Sequence, residues 1–197
     1  MTQRRFDIPI ARLCAAACLT LASAAHSAPA VEIAGIRPEP QLSVNHTALQ
    51  LNGAGLRSKF VVKVYVAALY AATVSHDAQT LIHSAEPRRM RLYLLRDIDS
   101  KTLDEALQDG LRDNTPESKR ESLRESATRF SNLMAAIGTT KNGDIVDLDF
   151  DASGLSLTHN GQSRGRIDNA DFAAALLAVW LGDKPAQASL KQALLGN

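Results

Sequence analysis

The sequence predicts an α+β domain in which helices pack on one face of an antiparallel sheet. Segments with strand-like alternation and segments with helical periodicity come in blocks, not as a regular βαβ alternation. The chain has 197 residues, of which 45% are hydrophobic, which is enough to bury a core. No Gly/Ser-rich linker or internal repeat divides it, so we expect one domain over residues 31–197.

Residues 1–30 have the composition of a secretory signal peptide. Three arginines among the first twelve residues precede a short apolar run, Leu13–Ala25. Small residues at the −3 and −1 positions fit cleavage after Ser27 or after Ala30, and the pattern leaves both open. A retained anchor is the alternative, but the run is shorter than the roughly 20 residues that span a bilayer. We therefore expect an exported, periplasmic protein without stable membrane insertion.

Cleavage there changes the chemistry available to the rest of the chain. The segment carries three of the 22 basic and one of the 21 acidic residues, which leaves 19 basic and 20 acidic residues. Cys14 and Cys18 both lie in it, so cysteine nucleophiles, thiolate metal sites and CxxC redox chemistry are excluded from the mature protein. A near-neutral charge also gives no basic face for nucleic acid.

The N-terminal third of the mature chain predicts strands. Val31–Val44 reads as a short edge strand that breaks into a loop. Ala48–Leu56 predicts a strand in which Gly53 and Gly55 indicate a bulge or a close backbone approach. Phe60–Tyr70 is the strongest β segment: its even positions are almost wholly apolar and its odd positions are mixed. Such a strand covers a core on one side and a wetter layer or cleft on the other.

Helices are predicted in the middle of the chain. Asp77–His83 predicts a short helix and Arg89–Arg96 a strand. Ser100 is expected to cap a helix that ends near Asn114, and Thr115 to cap the next one. The second of these helices carries an apolar stripe with 4-3-4-3 spacing that should face the core, at Leu123, Ala127, Phe130, Met134 and Ile137.

The C-terminal third predicts a β meander followed by a buried helix. Gly143–Ile167 contains Asn160-Gly161, a two-residue hairpin signal because both positions tolerate a positive φ. Phe172–Leu181 is almost entirely apolar and must be buried as a helix. Ala186–Leu195 closes the chain.

Three alternating aspartates, Asp147, Asp149 and Asp151, invite a calcium interpretation. An EF-hand loop that starts at Asp147 needs glycine at position 6 and glutamate at position 12, where this chain has Ala152 and Thr158. Because the aspartates alternate with apolar residues, one solvated strand face is the favoured interpretation. No metal site is predicted.

The histidines outside residues 1–30 give no catalytic or metal motif. None forms an i,i+3 or i,i+4 pair, and we expect them at the surface: His46, His76, His83 and His159. A Ser-His-Asp triad stays open, since its members can be distant in sequence. The sequence contains no GxSxG elbow to support one.

Arg57 and Tyr65, near Lys63, form the remaining candidate site. A guanidinium and a phenol that face an apolar space can hold a carboxylate or polarise a ketone. The alternative is that both cations are solvated and Tyr65 is a half-buried sheet residue. Eight residues of one strand span about 26 Å, so the two converge only if the chain turns between them. The expected turn is Arg57-Ser58-Lys59.

Three segments resemble the bacterial chalcone isomerase-like family, which is related to plant chalcone isomerases and to fatty-acid-binding proteins of the same fold. They are LNGAGLRSKFVVKVYVAALYA (Leu51–Ala71), FAAALLAVWLGDKP (Phe172–Pro185) and the terminal ALLG (Ala193–Gly196). The resemblance implies an open-faced β-sandwich: a large antiparallel sheet, a helical layer and a ligand cleft between them.

The resemblance implies ligand binding more than catalysis. The arginine that holds substrate in the isomerases matches Arg57, and a threonine on the neighbouring strand matches Tyr65. The fatty-acid-binding relatives bind a carboxylate with this arginine and a tyrosine near that position. The remaining polar catalytic positions are occupied here by Leu103, Ala106, Gly110 and Val179. We therefore expect no catalytic residues and no cofactor, and a small apolar acid such as a fatty acid as the ligand.

Two alternatives remain at this point. One is an isomerase or lyase of the chalcone isomerase type that acts on an unknown substrate. The other is a partner-binding module without a ligand. Turnover of a chalcone that depends on Arg57 would favour the first, and an exposed apolar patch without a cleft would favour the second.

Overall fold

The computed structural model describes residues 32–197, and the predicted signal peptide with its cleavage sites lies outside them. The described residues form the predicted α+β fold, a curled antiparallel sheet with helices. Seven strands make up the sheet, in the spatial order β1 (Gln41–Val44), β2 (Thr47–Lys59), β3 (Val62–Ala71), β4 (Arg88–Leu94), β7 (Ile145–Asp151), β8 (Gly154–His159) and β9 (Gln162–Ile167).

The helices and a small ribbon complete the domain. Two short strands, β5 (Ile98–Asp99) and β6 (Thr139–Thr140), pair with each other outside the large sheet. The helices are α1 (Ala78–His83), α2 (Ser100–Asn114), α3 (Glu117–Ala135), α4 (Ala170–Leu181) and α5 (Ala188–Leu194). Within residues 32–197, none of them combines the length and the apolar character that a bilayer crossing requires.

Two helix starts differ from the sequence expectation. Asp99, not Ser100, caps α2, because its carboxylate accepts the N–H of Lys101 at 2.9 Å. Thr115 does not cap α3: the residue before this helix is Pro116, and the Thr115 hydroxyl is buried without a hydrogen-bond partner among the described residues. A proline at this point has a fixed φ that suits helix entry without a side-chain cap.

Both faces of β3 are buried, which corrects the expected contrast between a core side and a wetter side. Its odd-numbered residues, among them Tyr65 and Leu69, belong to the main core between sheet and helices. The even-numbered Val66 and Tyr70 belong to a second core on the opposite face, against which Ile33 and Ile36 pack. The face that looked mixed in sequence therefore covers the larger core.

α5 lies directly on β2 because two positions of the strand have no side chain. A Cβ atom on Gly55 would lie 2.8 Å from Ala193 Cβ and 2.9 Å from Leu190 Cδ1. A Cβ atom on Gly53 would lie 2.7 Å from the backbone oxygen of Leu194. The strand register also shifts between Leu51 and Gly53. The predicted close approach and the predicted bulge are both present.

The sheet does not close, so β1 and β9 are its edges. β1 has four residues. β9 carries Arg164 and Arg166, and its pairing with β8 shifts register between Leu157 and Thr158.

The turn between β8 and β9 is the predicted Asn160-Gly161 pair, with φ angles of 50° and 74°. The Asn160 side chain also donates to the carboxylate of Asp144 at 2.8 Å. Asp144 further accepts the backbone N–H of Lys141 at 2.8 Å and lies 2.9 Å from His159 Nε2. Desolvation raises the pKa of Asp144, but these hydrogen bonds outweigh it and lower the pKa from 3.8 to about 2.

Gly53→Ala is expected to destabilise the fold more than Gly55→Ala, because its methyl group meets backbone carbonyls and not movable side chains. We expect the free energy of unfolding to fall by about 2–3 kcal/mol for Gly53→Ala and by about 1 kcal/mol for Gly55→Ala. Urea unfolding followed by the fluorescence of Trp180, the only tryptophan, measures both. Gln50→Ala, at an exposed position of β2, is the control and should change the free energy of unfolding by less than about 0.5 kcal/mol. Equal losses for the two glycine variants would contradict this packing.

Asp144 is expected to make stability depend on pH in the acid range. Because its folded-state pKa lies below its ordinary value, the carboxylate stabilises the fold above about pH 4, and this contribution disappears as the pH falls from about 4 to about 2. Asp144→Asn should therefore lose stability less steeply across that window. Urea unfolding at a series of pH values measures the slope. Gln50→Ala, which removes no titratable group, should keep the wild-type slope.

Candidate functional site

Arg57 and Tyr65 lie directly opposite each other on the neighbouring strands β2 and β3. The turn that makes this pairing possible is at Phe60 and Val61, not at Arg57-Ser58-Lys59 as the sequence suggested. A register shift between Arg57 and Ser58 follows the pair. Because opposed residues of antiparallel strands share a face, both side chains lie on the face of the main core.

Tyr65 is a buried residue, not a half-buried one. Its side chain belongs to the main core and only 5% of the residue is exposed. Its hydroxyl accepts a hydrogen bond from Trp180 Nε1 at 3.1 Å. Within residues 32–197 the structure shows no acceptor for the phenolic proton. Burial raises the pKa of Tyr65, partly offset by Trp180 and by the nearby Arg57, so the phenol stays protonated as a donor.

Arg57 is half-buried and uses one nitrogen of its guanidinium. Nη1 donates to the backbone oxygen of Ser58 and to Gln187 Oε1, the latter at 3.3 Å. Among the described residues, Nε and Nη2 show no hydrogen bond of normal geometry, although the guanidinium is close enough to the Tyr65 hydroxyl to lower its pKa. A guanidinium presents five N–H donors in a planar fork, so part of that fork is free to bind an anion.

Gln187 is the residue of this site that the sequence did not reveal. It lies just before α5, and its Oε1 accepts the backbone N–H of Ser58 at 2.9 Å. Its Nε2 donates to the backbone oxygen of Leu56 at 3.2 Å and to Ser189 Oγ at 2.7 Å. Gln187 therefore ties the start of α5 to the bulged part of β2 and orients Arg57. No motif connects two residues that lie 130 positions apart.

A groove of about 360 Å³ adjoins the hairpin that carries the two residues. Val62, Val64, Ile98 and Thr102 are among the residues that line it. A larger cavity of about 570 Å³ lies elsewhere, beside the ends of α1 and α2, and contains neither Arg57 nor Tyr65. Neither Arg57 nor Tyr65 lines the groove itself, but the groove is mostly apolar and lies beside the hairpin that carries both residues, so it is the more relevant of the two.

The aspartates of β7 are not on a solvated face. Asp149 pairs with Arg89 at 2.6 and 2.7 Å, and Asp147 pairs with Arg91 at 2.8 and 2.9 Å, each directly across from its partner on β4. Asp147 is only 4% exposed. Asp151 binds the guanidinium of Arg166 in the same way. Arginines therefore take up the carboxylates that a calcium site would need.

His159 also departs from the surface position expected for it, since it is 8% exposed. Its Nε2 lies 2.9 Å from Asp144, and its Nδ1 lies 3.2 Å from an Arg164 nitrogen. An aspartate and an arginine thus contact the two ring nitrogens, and among the described residues no serine contacts His159 as it would in a Ser-His-Asp triad. Residues 32–197 contain no group of three or more His, Cys, Asp or Glu side chains arranged to hold a metal ion.

The sequence profile of chalcone isomerase-like proteins matches residues 30–196, which is nearly the whole described chain. The chain belongs to the chalcone isomerase-like family. The fold is similar to the crystal structure of a fatty-acid binding protein of Arabidopsis thaliana, with a TM-score of 0.65 and 16% identity over 82% of this chain and 92% of that one. No protein with a curated description is detectably similar to the chain.

The positions that carry polar catalytic groups in chalcone isomerases do not form a polar cluster in this family member. Leu103 is buried in the main core, whereas Ala106 is exposed. Gly110 packs against Val179, since a Cβ atom on Gly110 would lie 2.7 Å from Val179 Cγ1. Two of the four positions that the sequence resemblance matched to polar catalytic groups thus lie in an apolar contact between α2 and α4.

Tyr65→Phe is expected to lower the free energy of unfolding by about 1–3 kcal/mol, because it leaves the buried Trp180 N–H without an acceptor. Tyr70→Phe is the matched control and should cost less than about 1 kcal/mol. Tyr70 donates to Glu39 at 3.3 Å, and Glu39 keeps its 2.6 Å bond from Tyr93. Urea unfolding measures the free energy of unfolding of both variants. If Tyr65→Phe leaves it unchanged, the Trp180 hydrogen bond contributes nothing to stability.

Proposed function

We propose that this protein is exported and binds a small apolar carboxylate, such as a fatty acid, without catalysing a reaction. The observation that carries the proposal is the cross-strand pair of Arg57 and Tyr65. It combines a permanent positive charge with a neutral phenolic donor at one end of an apolar core. The fatty-acid binding activity named for the Arabidopsis neighbour supports the same ligand class.

The free donors of the pair match the acceptors of a carboxylate. One carboxylate oxygen would accept from the unused Arg57 nitrogens, and the other from the Tyr65 hydroxyl. Charge-assisted bonds of this kind are roughly twice as strong as neutral ones, and a guanidinium fork gives them direction. The Trp180 bond holds the phenol oxygen in place while leaving its proton available. Gln187 would act as a positioning residue, because it restrains Arg57 through Oε1.

The ligand's tail would lie in the groove beside the hairpin. Val62, Val64 and Ile98 offer aliphatic surface there, and the volume of about 360 Å³ falls in the range of small-molecule sites. Each buried methylene contributes about 0.8 kcal/mol to binding. The tail therefore supplies affinity, and the carboxylate contacts supply orientation.

The absence of catalysis is proposed from the residues at the matching catalytic positions. A developing enolate needs donors aimed at its oxygen. Leu103, Gly110 and Val179 carry no side-chain donor, and Gly110 and Val179 are packed against each other. Arg57 can bind an anion, but none of these three positions supplies a side chain that transfers a proton.

Arg57→Ala is expected to abolish the co-purification of fatty acids, which mass spectrometry of ligands extracted from the purified protein measures. In titrations with added fatty acid, Arg57→Lys should weaken binding about tenfold, since it keeps the charge and loses the fork, and Arg57→Ala about a hundredfold. Arg112→Ala is the matched control, because its guanidinium pairs with Asp109 at the exposed surface of α2. It should bind like the wild type.

Two results would overturn the proposal. A wild-type protein that is empty in native mass spectrometry and also ignores added fatty acids has no such site. Turnover of a chalcone by the wild type, abolished in Arg57→Ala, would make the protein an isomerase. N-terminal sequencing of the protein from its native cell tests export independently, because cleavage should leave Ala28 or Val31 at the N-terminus.

A further inference from the structure

The tip of the β2–β3 hairpin exposes apolar side chains to solvent. Phe60 is 93% exposed, Val61 97% and Val62 39%. Apart from these three, Val74 is the one large hydrophobic residue of the described chain with comparable exposure, at 41%. Single exposed apolar residues are ordinary, but three consecutive ones at a protruding tip form a patch that water solvates poorly.

The backbone at the tip adds a second observation. Phe60 has a φ of 55°, in the left-handed region that bulky residues rarely occupy. Asparagine or glycine would relieve both the backbone strain and the apolar exposure, as Asn160 and Gly161 do in the β8–β9 turn. Strain of this kind persists at sites of function. Phenylalanine is therefore unfavourable at position 60 both for its backbone conformation and for its exposure to water.

Cations surround the tip. Lys59 and Lys63 flank the three apolar residues in sequence, and Arg96 lines the same groove as Phe60. Within residues 32–197 none of these three forms a salt bridge. The acidic groups of that groove are engaged: Asp97 pairs with Lys141 at 3.0 Å, and Asp99 caps α2. Asp99 keeps its negative charge as a helix cap, but the three unpaired cations outweigh it, so the surface around the tip has a net positive charge.

We propose that this hairpin tip docks the protein reversibly on an anionic lipid bilayer. Phe60 and Val61 would enter the boundary between headgroups and acyl chains, while Lys59 and Lys63 contact the anionic headgroups. The small area favours a bilayer over a protein partner. The three apolar side chains offer on the order of 400 Å², about half of the roughly 800 Å² that each partner buries in a stable protein interface.

Flotation with lipid vesicles tests this docking. The wild type should bind phosphatidylcholine vesicles that contain phosphatidylglycerol. It should bind pure phosphatidylcholine vesicles at least about tenfold more weakly, and added salt should release it from the anionic vesicles. The double variant Phe60→Ser/Val61→Ser and the double variant Lys59→Glu/Lys63→Glu should each lose about tenfold or more in partitioning. All proteins are compared with the same N-terminus, so residues 1–31 contribute equally to each.

Two matched controls separate the tip from general surface effects. Val74→Ser removes an exposed apolar side chain elsewhere, and Lys101→Glu/Lys119→Glu reverses two exposed lysines on α2 and α3. Both should bind vesicles like the wild type. Phe60→Trp gives a direct signal, because its emission should shift to the blue on anionic vesicles while the native Trp180, 1% exposed, is already buried.

Two outcomes would overturn the proposal. The first is a flotation result in which the Phe60→Ser/Val61→Ser variant binds anionic vesicles as well as the wild type does, or in which neither protein binds. The second is a sedimentation result, without vesicles, in which the wild type is a dimer and the tip variant is a monomer. That result would assign the tip to a second copy of this chain. Fatty-acid titration of Val61→Ser, which changes the tip at a residue that does not line the groove, should match the wild type while vesicle binding falls, so failure of docking and failure of the carboxylate site are distinguishable.

Discussion

The contact between α5 and β2 depends on two residues without side chains, Gly53 and Gly55. Their absence of Cβ atoms lets the helix backbone approach the strand, and the buried Asn52 completes the contact by donating to the Leu194 carbonyl at 2.8 Å. The other end of α5 brings Gln187 to the bulge beside Arg57. The position of the guanidinium is thus a consequence of helix–strand spacing several residues away.

Most of the fold could be predicted because its elements carry periodic patterns. The alternation of β7, the Asn160-Gly161 turn and the apolar α4 all occur where the pattern places them. Contacts between distant segments could not be predicted. Alternating aspartates look the same in sequence whether water or an arginine ladder faces them, and burial of Tyr65 against Trp180 joins residues 115 positions apart. In the candidate site, the pairing of Arg57 with Tyr65 depends on register, which periodicity alone leaves undetermined.

The position of the hairpin turn shows why local rules fail at particular places. Turn chemistry favours polar residues and glycine, so the sequence directs attention to Arg57-Ser58-Lys59. The chain instead turns at Phe60 and Val61, the residues least suited to it by propensity and by solvation. Elsewhere in the chain the local residue preferences agree with the observed elements. Their disagreement at this turn indicates that a requirement other than turn formation selects these residues. Because the turn comes after Lys59, Arg57 lies within a paired strand, opposite Tyr65.

The open sheet has a further consequence at its two ends. Strands at an edge carry unpaired backbone groups and can recruit a strand of another molecule. Here one edge, β1, is only four residues long. The other, β9, bears Arg164 and Arg166 beside an irregular register. The short length of β1 and the charge and irregular register of β9 oppose the addition of another strand. The sheet therefore resists edge-to-edge polymerisation although it is open at both ends.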